Sequence, residues 1–305
     1  MARVVITGAT GTIGSAVCRK LLSRGDQPVA LSRNPAGSAS RLPDAVEWHA
    51  WKDPLSARPP EEALSGATGV IHLLGEPVSQ RWSTEAKQLI RESRVRATRN
   101  LVAGLRELAD GQRPGVLVSQ SATGFYGPHG SEQIDEQSAA GGGFLAGVVS
   151  AWEQEALKAV PACRVVVART GVVLSASGGA LAKMLPFFRA GVGGPVAGGR
   201  QYVPWIHIDD LTAALLFCLD NPDAGGAVNM TAPRPVSNAE LSKALGHALH
   251  RPAVLPVPAL ALKLLYGEMS EIVTTGQRVS PRRLQDLGFS FSQPEIEPAL
   301  RSVLG

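Results

Sequence analysis

The stretch Arg3 to Gly14, RVVITGATGTIG, constrains this chain more than any other. A run rich in β-branched residues enters glycines at positions 8, 11 and 14, and helical periodicity begins at Ile13. Glycines at this spacing also mark ordinary turns. Between a strand and an amphipathic helix, however, they have the context that dinucleotide binding requires. Gly8 would allow the tight turn out of the strand, Gly11 would let a pyrophosphate approach the main chain, and Gly14 would let the helix pack closely on the sheet. The open N–H groups and positive dipole end of that helix would hold the phosphate charge, with Thr10, Thr12 and Ile13 completing the loop.

An NAD-preferring site of this kind places Asp or Glu about 20 residues further on, at the end of the second strand, to bind the adenosine ribose hydroxyls. This chain has Ser32 and Arg33 there. No carboxylate repels a 2′-phosphate, and a guanidinium can grip one through paired, charge-assisted hydrogen bonds, so NADP(H) is expected over NAD(H).

Alternating short β-rich runs and helical runs occupy the first 170 residues, the pattern of βαβ units and a parallel sheet covered on both faces. Strands are expected at Arg3–Thr7, Pro28–Ser32, Val46–His49, Gly69–Leu74, Gly115–Ser119 and Arg164–Arg169, with helices at Ile13–Ser23, Thr84–Leu108 and Leu145–Ala159. Beyond Thr170 the texture changes to glycine clusters and a proline-punctuated stretch with helical patches at Asn238–Leu249, Pro258–Thr275 and Pro294–Leu304. The expected architecture is α/β: a doubly wound parallel (Rossmann) sheet over residues 1–230 and a smaller α+β C-terminal substrate lobe over 231–305, to which 174–205 contribute.

Composition narrows the partners. The charge surplus is only +4 and spread along the chain, without a basic arm, so no nucleic-acid partner is expected. The longest clean apolar stretch, Thr212–Leu219, is far short of a bilayer span, so no membrane association is expected either. Cys18, Cys163 and Cys218 lie far apart and read as small core residues, which suits a reducing cytoplasm. The N-terminus enters a strand pattern at once, without the layout of a secretory signal. The histidines and acids show no metal-ligand spacing, so no metal is expected.

TGATGTIG, HLLGEP at His72–Pro77, SQSATGFYG at Ser119–Gly127, RTGVVLS at Arg169–Ser175 and PWIHIDDL at Pro204–Leu211 together resemble the extended short-chain dehydrogenase/reductase superfamily of epimerase/dehydratase type. QRWS at Gln80–Ser83, SRVRAT at Ser93–Thr98, FLAGVVSAWEQEA at Phe144–Ala156, NMTAPRPVSNAEL at Asn229–Leu241 and PRRLQDLGFSF at Pro281–Phe291 are similar to its nucleoside-diphosphate-sugar epimerase-like subfamily, which includes atypical reductases and a cell-division-inhibitor branch. The resemblance covers essentially the whole chain. It implies that Leu73, Leu74 and Gly75 line the cofactor, that Ser119 faces it, and that Thr170, Val172 and Val173 pass beside the nicotinamide. Arg94 falls where many extended members carry an Asn facing the nicotinamide half, from where it reaches a cofactor phosphate or an anionic substrate. Superfamily members often dimerise through paired helices, so the resemblance allows a homodimer.

Superfamily catalysis usually needs a Tyr hydroxyl as proton carrier, a Lys four residues later and a Ser that steadies the reacting oxygen. Ser121 is the candidate Ser, with Ser119 as alternate. Registering Glu153 on the family's glutamate puts Leu145 and Val149 at the Tyr and Lys positions, and neither transfers a proton. Three readings follow. Another group supplies the proton, with Tyr126 placed just beyond Ser121 at the mouth of the site and Glu76, Arg81 and His207 on loops that converge there. Alternatively, the substrate needs no enzyme acid, or the protein is an NADPH-dependent regulator or scaffold. Each candidate also has a structural use: Tyr126 packing its ring, Glu76 capping a turn, Arg81 on the surface, His207 in the core. Trp152 is expected to pack in the core and Trp205 to border the pocket, while Trp82 lies inside a resembling segment. Asp209 and Asp210 stand where one would cap a helix. Substrate choice is expected to rest with the loops Gly127–Gly143 and Gly178–Arg200 and the C-terminal lobe.

Overall fold

A computed structural model describes all 305 residues. Seven strands form one fully parallel sheet: β1 (Arg3–Thr7), β2 (Gln27–Ser32), β3 (Glu47–Ala50), β4 (Gly69–His72), β5 (Val116–Ala122), β6 (Arg164–Thr170) and β7 (Gly226–Met230). Their spatial order is β3-β2-β1-β4-β5-β6-β7. The chain therefore builds outward from β1 in one direction, returns, and builds outward from β4 in the other. The crevice between β1 and β4 is the topological switch point at which such sheets bind ligands.

Side-chain alternation explains why the sheet is covered on both faces. Val4 and Ile6 of β1 point into a core with Val17, Cys18 and Leu21 of α1 (Thr12–Ser23). Val5 points the other way, into a core with Ala97, Leu101, Val102 and Leu105 of α2 (Thr84–Glu107). α3 (Phe144–Leu157) packs beside α2 on that second face. Each fully buried Val, Leu or Ile contributes about 1.5–3 kcal/mol through burial alone.

A third core belongs to the lobe. Leu181, Leu185 and Phe188 of α4 (Gly179–Arg189) meet Trp205, and α5 (Ile208–Asp220) returns the chain to the sheet. Leu241 and Leu245 of α6 (Asn238–Leu249) and Ala299 and Leu300 of α8 (Ile296–Leu304) complete the lobe core. A full capping box on Ser237 and Glu240 starts α6.

Several elements depart from the sequence reading. β4 ends at His72 rather than Leu74; the Leu73 N–H is shared between the Thr7 hydroxyl at 3.0 Å and the Thr7 carbonyl at 3.3 Å. β5 runs on to Ala122, paired along its length with β6. β7 went unforeseen; its five residues, GAVNM, carry a weak period-2 signal. The expected helix Pro258–Thr275 is broken: α7 covers only Ala259–Tyr266, Gly267 follows with φ of +62°, and short turns finish the segment. The core at Cys18 and Cys218 is dry enough to push both thiols up to about 12.

Candidate active site

β1 ends in the glycine loop, and each glycine there has a local reason. Gly8 has φ of +67°, and a Cβ on it would stand 2.9 Å from the Leu73 carbonyl oxygen. A Cβ on Gly14 would stand 2.3 Å from the Gly8 carbonyl oxygen, inside contact distance. Gly11 occupies the N-cap of α1, with no side-chain cap and no acid in the first turn. The N–H groups of Thr12, Ile13 and Gly14 consequently find no acceptor in the protein, which leaves an anion cradle at the helix N-terminus. Thr10 is half-buried and Gly11 exposed beside them.

At the end of β2, the Ser32 hydroxyl bonds that of Ser38 at 2.9 Å and accepts the Asn34 N–H. Asn34 caps the next turn by accepting the Gly37 N–H at 3.1 Å. Arg33 stands between them, exposed and without any hydrogen bond or ion pair. The residues present thus suit a dinucleotide bearing a 2′-phosphate: uncapped amides for the pyrophosphate, a free guanidinium for the extra phosphate, and no carboxylate opposing it.

At the C-terminal end of β4, Leu73 and Leu74 are half-buried and Gly75 exposed. Arg94 of α2 rises against this turn. Its Nη1 donates to the Glu76 carbonyl at 2.9 Å and to the Ile90 carbonyl at 3.1 Å, and its guanidinium lies 5.3 Å from the Trp152 ring. Burial pulls its pKa down to about 10. Below, His72 is fully buried, bridging the Thr7 hydroxyl at 2.7 Å and the Thr98 hydroxyl at 2.9 Å. Trp152 donates to the same Thr98 oxygen at 2.8 Å.

Ser121 and Tyr126 belong to one buried network rather than to an open mouth. The Ser121 hydroxyl donates to Glu153 Oε1 at 2.6 Å. Arg169 binds that carboxylate with two prongs and donates from Nη1 to the Tyr126 hydroxyl at 3.0 Å. Tyr126 donates onward to Asn229 Oδ1 at 2.7 Å and has no exposed surface. This corrects the expected placement of Tyr126: burial raises its pKa, and both hydrogen-bonding sides of its oxygen are occupied by protein. Ser119 lies buried two residues before Ser121 on the same face of β5.

Leu145 and Val149, one turn apart on α3, lie 3.7 and 3.9 Å from where a Cβ on Gly124 would stand. The positions that the family resemblance gives to the Tyr–Lys pair are therefore apolar. Thr170 ends β6 with its hydroxyl on the Ala168 carbonyl. Val172 and Val173 are half-buried and pair in parallel with Trp205 and Ile206. The chain then crosses to the glycine loop, where a Cβ on Gly178 would stand 2.2 Å from the Thr12 hydroxyl oxygen. Lys183 of α4 reaches over to the Ser79 carbonyl at 2.9 Å and the Ser79 hydroxyl at 2.6 Å. The lobe therefore touches both sides of the crevice.

Other candidates take structural places. Trp205 does not border a pocket; it is buried in the lobe core with its indole N–H on the Arg234 carbonyl at 3.1 Å. His207, not an aspartate, caps α5 by accepting the Asp209 N–H at 3.1 Å, and burial lowers its pKa. Asp210 instead clamps the segment before α8, accepting the N–H groups of Ser292 and Gln293 at 2.8 and 2.9 Å. Glu76 receives nothing on its carboxylate; its own N–H donates to the Ser93 hydroxyl at 3.0 Å. Arg81 is exposed and Trp82 packs edge-on against Phe144. The Glu153–Arg169 pair escaped the sequence reading, although Arg169 behind the apolar run VVVA and a Glu on the buried side of α3 were visible signals.

Residues 4–231 match the model of the NAD dependent epimerase/dehydratase family. The chain belongs to that family. Within this epimerase-family chain, residues 257–303 also match a domain of unknown function (DUF1731), which spans α7 and α8. It is 40% identical to the epimerase family protein SDR39U1 homolog, chloroplastic, of Arabidopsis thaliana, over 99% of this chain and 86% of that protein. It is 37% identical to the epimerase family protein Mb2239 of Mycobacterium bovis, over 97% of this chain and 96% of that one. The crystal structure of human epimerase family protein SDR39U1 (isoform 2) with NADPH superimposes with a TM-score of 0.89 at 31% identity, covering 99% and 98% of the two chains. No helix is long and apolar enough to cross a membrane, and no group of three His, Cys, Asp or Glu is placed to hold a metal.

Proposed function

We propose that this chain binds NADP(H) in the crevice between β1 and β4 and acts as an atypical oxidoreductase or epimerase-like enzyme on a small polar substrate. The observation that carries this reading is the free Arg33 at the end of β2, facing no carboxylate, beside a glycine loop whose first helical turn leaves three N–H groups without acceptors. The family match and the relative solved with NADPH support it. When bound, the coenzyme supplies or accepts a hydride. Thr10–Gly14 would hold its pyrophosphate, Ser32 and Arg33 its 2′-phosphate, and Leu73–Gly75 with Thr170, Val172 and Val173 its nicotinamide half.

For the chemistry we assign Ser121 as the polar group touching the substrate oxygen. Its proton is committed to Glu153, so toward a substrate its oxygen serves as a hydrogen-bond acceptor. Tyr126 acts at one remove, holding Arg169 and through it Glu153 in register. Leu145 and Val149 supply no acid, which suits hydride transfer onto an activated double bond. A purified sample incubated with NADPH and a panel of aldehydes, quinones and nucleotide sugars tests this. Steady loss of NADPH fluorescence with one class supports an enzyme.

The apolar pair Leu145 and Val149 also favours a second reading, a non-catalytic NADPH-dependent regulator of the cell-division-inhibitor type. NADPH binding without oxidation by any of the panel would select it.

A further inference from the structure

Arg94 has three N–H groups that no protein atom uses. Nη1 is spent on two carbonyls, while Nε and Nη2, which form the flat edge that matches an oxyanion two-to-two, bond to nothing. No carboxylate pairs with the guanidinium; Glu76, the acid close enough to favour its charged form, offers its main-chain carbonyl instead.

The neighbouring residue packs against the flat face of the guanidinium rather than its edge. A Cβ on Gly75 would stand 3.1 Å from Cζ, 3.2 Å from Nη2 and 3.4 Å from Nε, so a larger residue there would press on the guanidinium face and displace it. The Trp152 ring lies against the guanidinium, and Leu145 and Val149 form an apolar wall on the same helix as Trp152. A half-buried cation in such surroundings carries an uncompensated desolvation cost that a bound anion would offset.

Position decides between coenzyme and substrate. Gly8 of the phosphate loop touches Leu73, two residues before Gly75. Arg94 meets the chain two residues further along, from α2, the helix that links β4 to β5. We propose that the Nε/Nη2 edge of Arg94 is the anchor for a carboxylate or phosphate group of the substrate, which makes that substrate an anion. This rests on the NADP(H) reading above.

The test uses the full chain saturated with NADPH and titrated with malonate in one arm and inorganic phosphate in the other, followed by coenzyme fluorescence and calorimetry. At least one anion should bind saturably; malonate alone assigns a carboxylate, phosphate alone a phosphate. Arg94→Gln should weaken that binding about tenfold or more, and Arg94→Lys, which keeps the charge but loses the flat edge, by less. NADPH affinity should stay within about threefold in both variants, which also shows that they are folded. The proposal is overturned if neither anion binds the NADPH-loaded protein, if the anion competes with NADPH, if Arg94→Gln binds anions like the unmodified chain, or if that variant loses NADPH instead. Failure of the unmodified chain to bind NADPH would overturn the functional reading itself and this proposal with it.

Discussion

Glu153 accepts both prongs of the Arg169 guanidinium, 2.9 Å from Nε and 2.8 Å from Nη2, at a place where both side chains are more than nine-tenths buried. The guanidinium also stacks 3.5 Å from the centre of the Phe125 ring. Removing one partner of such a pair strands a charge in the interior, so Glu153→Leu should cost about 3–5 kcal/mol. Glu153→Leu combined with Arg169→Met should recover most of that loss. Denaturant unfolding of the three proteins checks it; a single variant as stable as the double would mean that the pair does not bear on the fold.

Gly14→Ala should be poorly tolerated. The new methyl would meet the Gly8 carbonyl oxygen at 2.3 Å, main chain that cannot swing aside as a side chain would. Overpacking of this kind costs about 1–3 kcal/mol, and it should also shift the phosphate cradle. A lower melting temperature together with weaker NADPH binding is expected. An unchanged melt and unchanged binding would show that α1 does not need its close approach to β1.

His72 gives the stability a pH dependence with a definite sign. Burial lowers its pKa from 6.5 to about 3, so the folded state stays neutral where the unfolded state takes up a proton. Its contribution is fully present above about pH 6.5 and is lost as pH falls from there toward 3. Between pH 7 and pH 5 the loss should be ~2 kcal/mol from this residue. His72→Asn, which keeps a polar group between Thr7 and Thr98, should flatten the fall measured by urea unfolding across that window. A slope identical in variant and parent would remove His72 as its source.

Periodicity made much of the sheet legible in advance. β1, β2 and β6 are apolar runs bounded by turn residues, and the glycine spacing fixed where the first helix starts. Tyr126 could not be placed that way. Its burial depends on Arg169, 43 positions away, and Asn229, 103 away, and no local pattern encodes which distant donor will meet a hydroxyl. Trp205 failed for the same reason, since its partners Leu181, Leu241 and Leu300 come from three separate helices. The cap of α5 was misread because two aspartates occupy the first turn while His207, two residues before the first of them, does the capping.

On the function proposed above, Arg33 carries the coenzyme preference, and its reversal should be large. Arg33→Asp replaces an unpaired guanidinium by a carboxylate at the end of β2, removing charge-assisted bonds worth about 1.5–3 kcal/mol and adding repulsion. NADPH affinity should fall roughly 10- to 100-fold, while NADH affinity should hold or improve.

Calorimetric titration of the unmodified chain with NADPH tests the central claim most directly, because the uncapped amides of Thr12, Ile13 and Gly14 and the free Arg33 all bear on one ligand. The expected result is saturable one-to-one binding, clearly tighter for NADPH than for NADH, with a raised melting temperature. No heat and no melting shift at saturating coenzyme would contradict the account at its foundation.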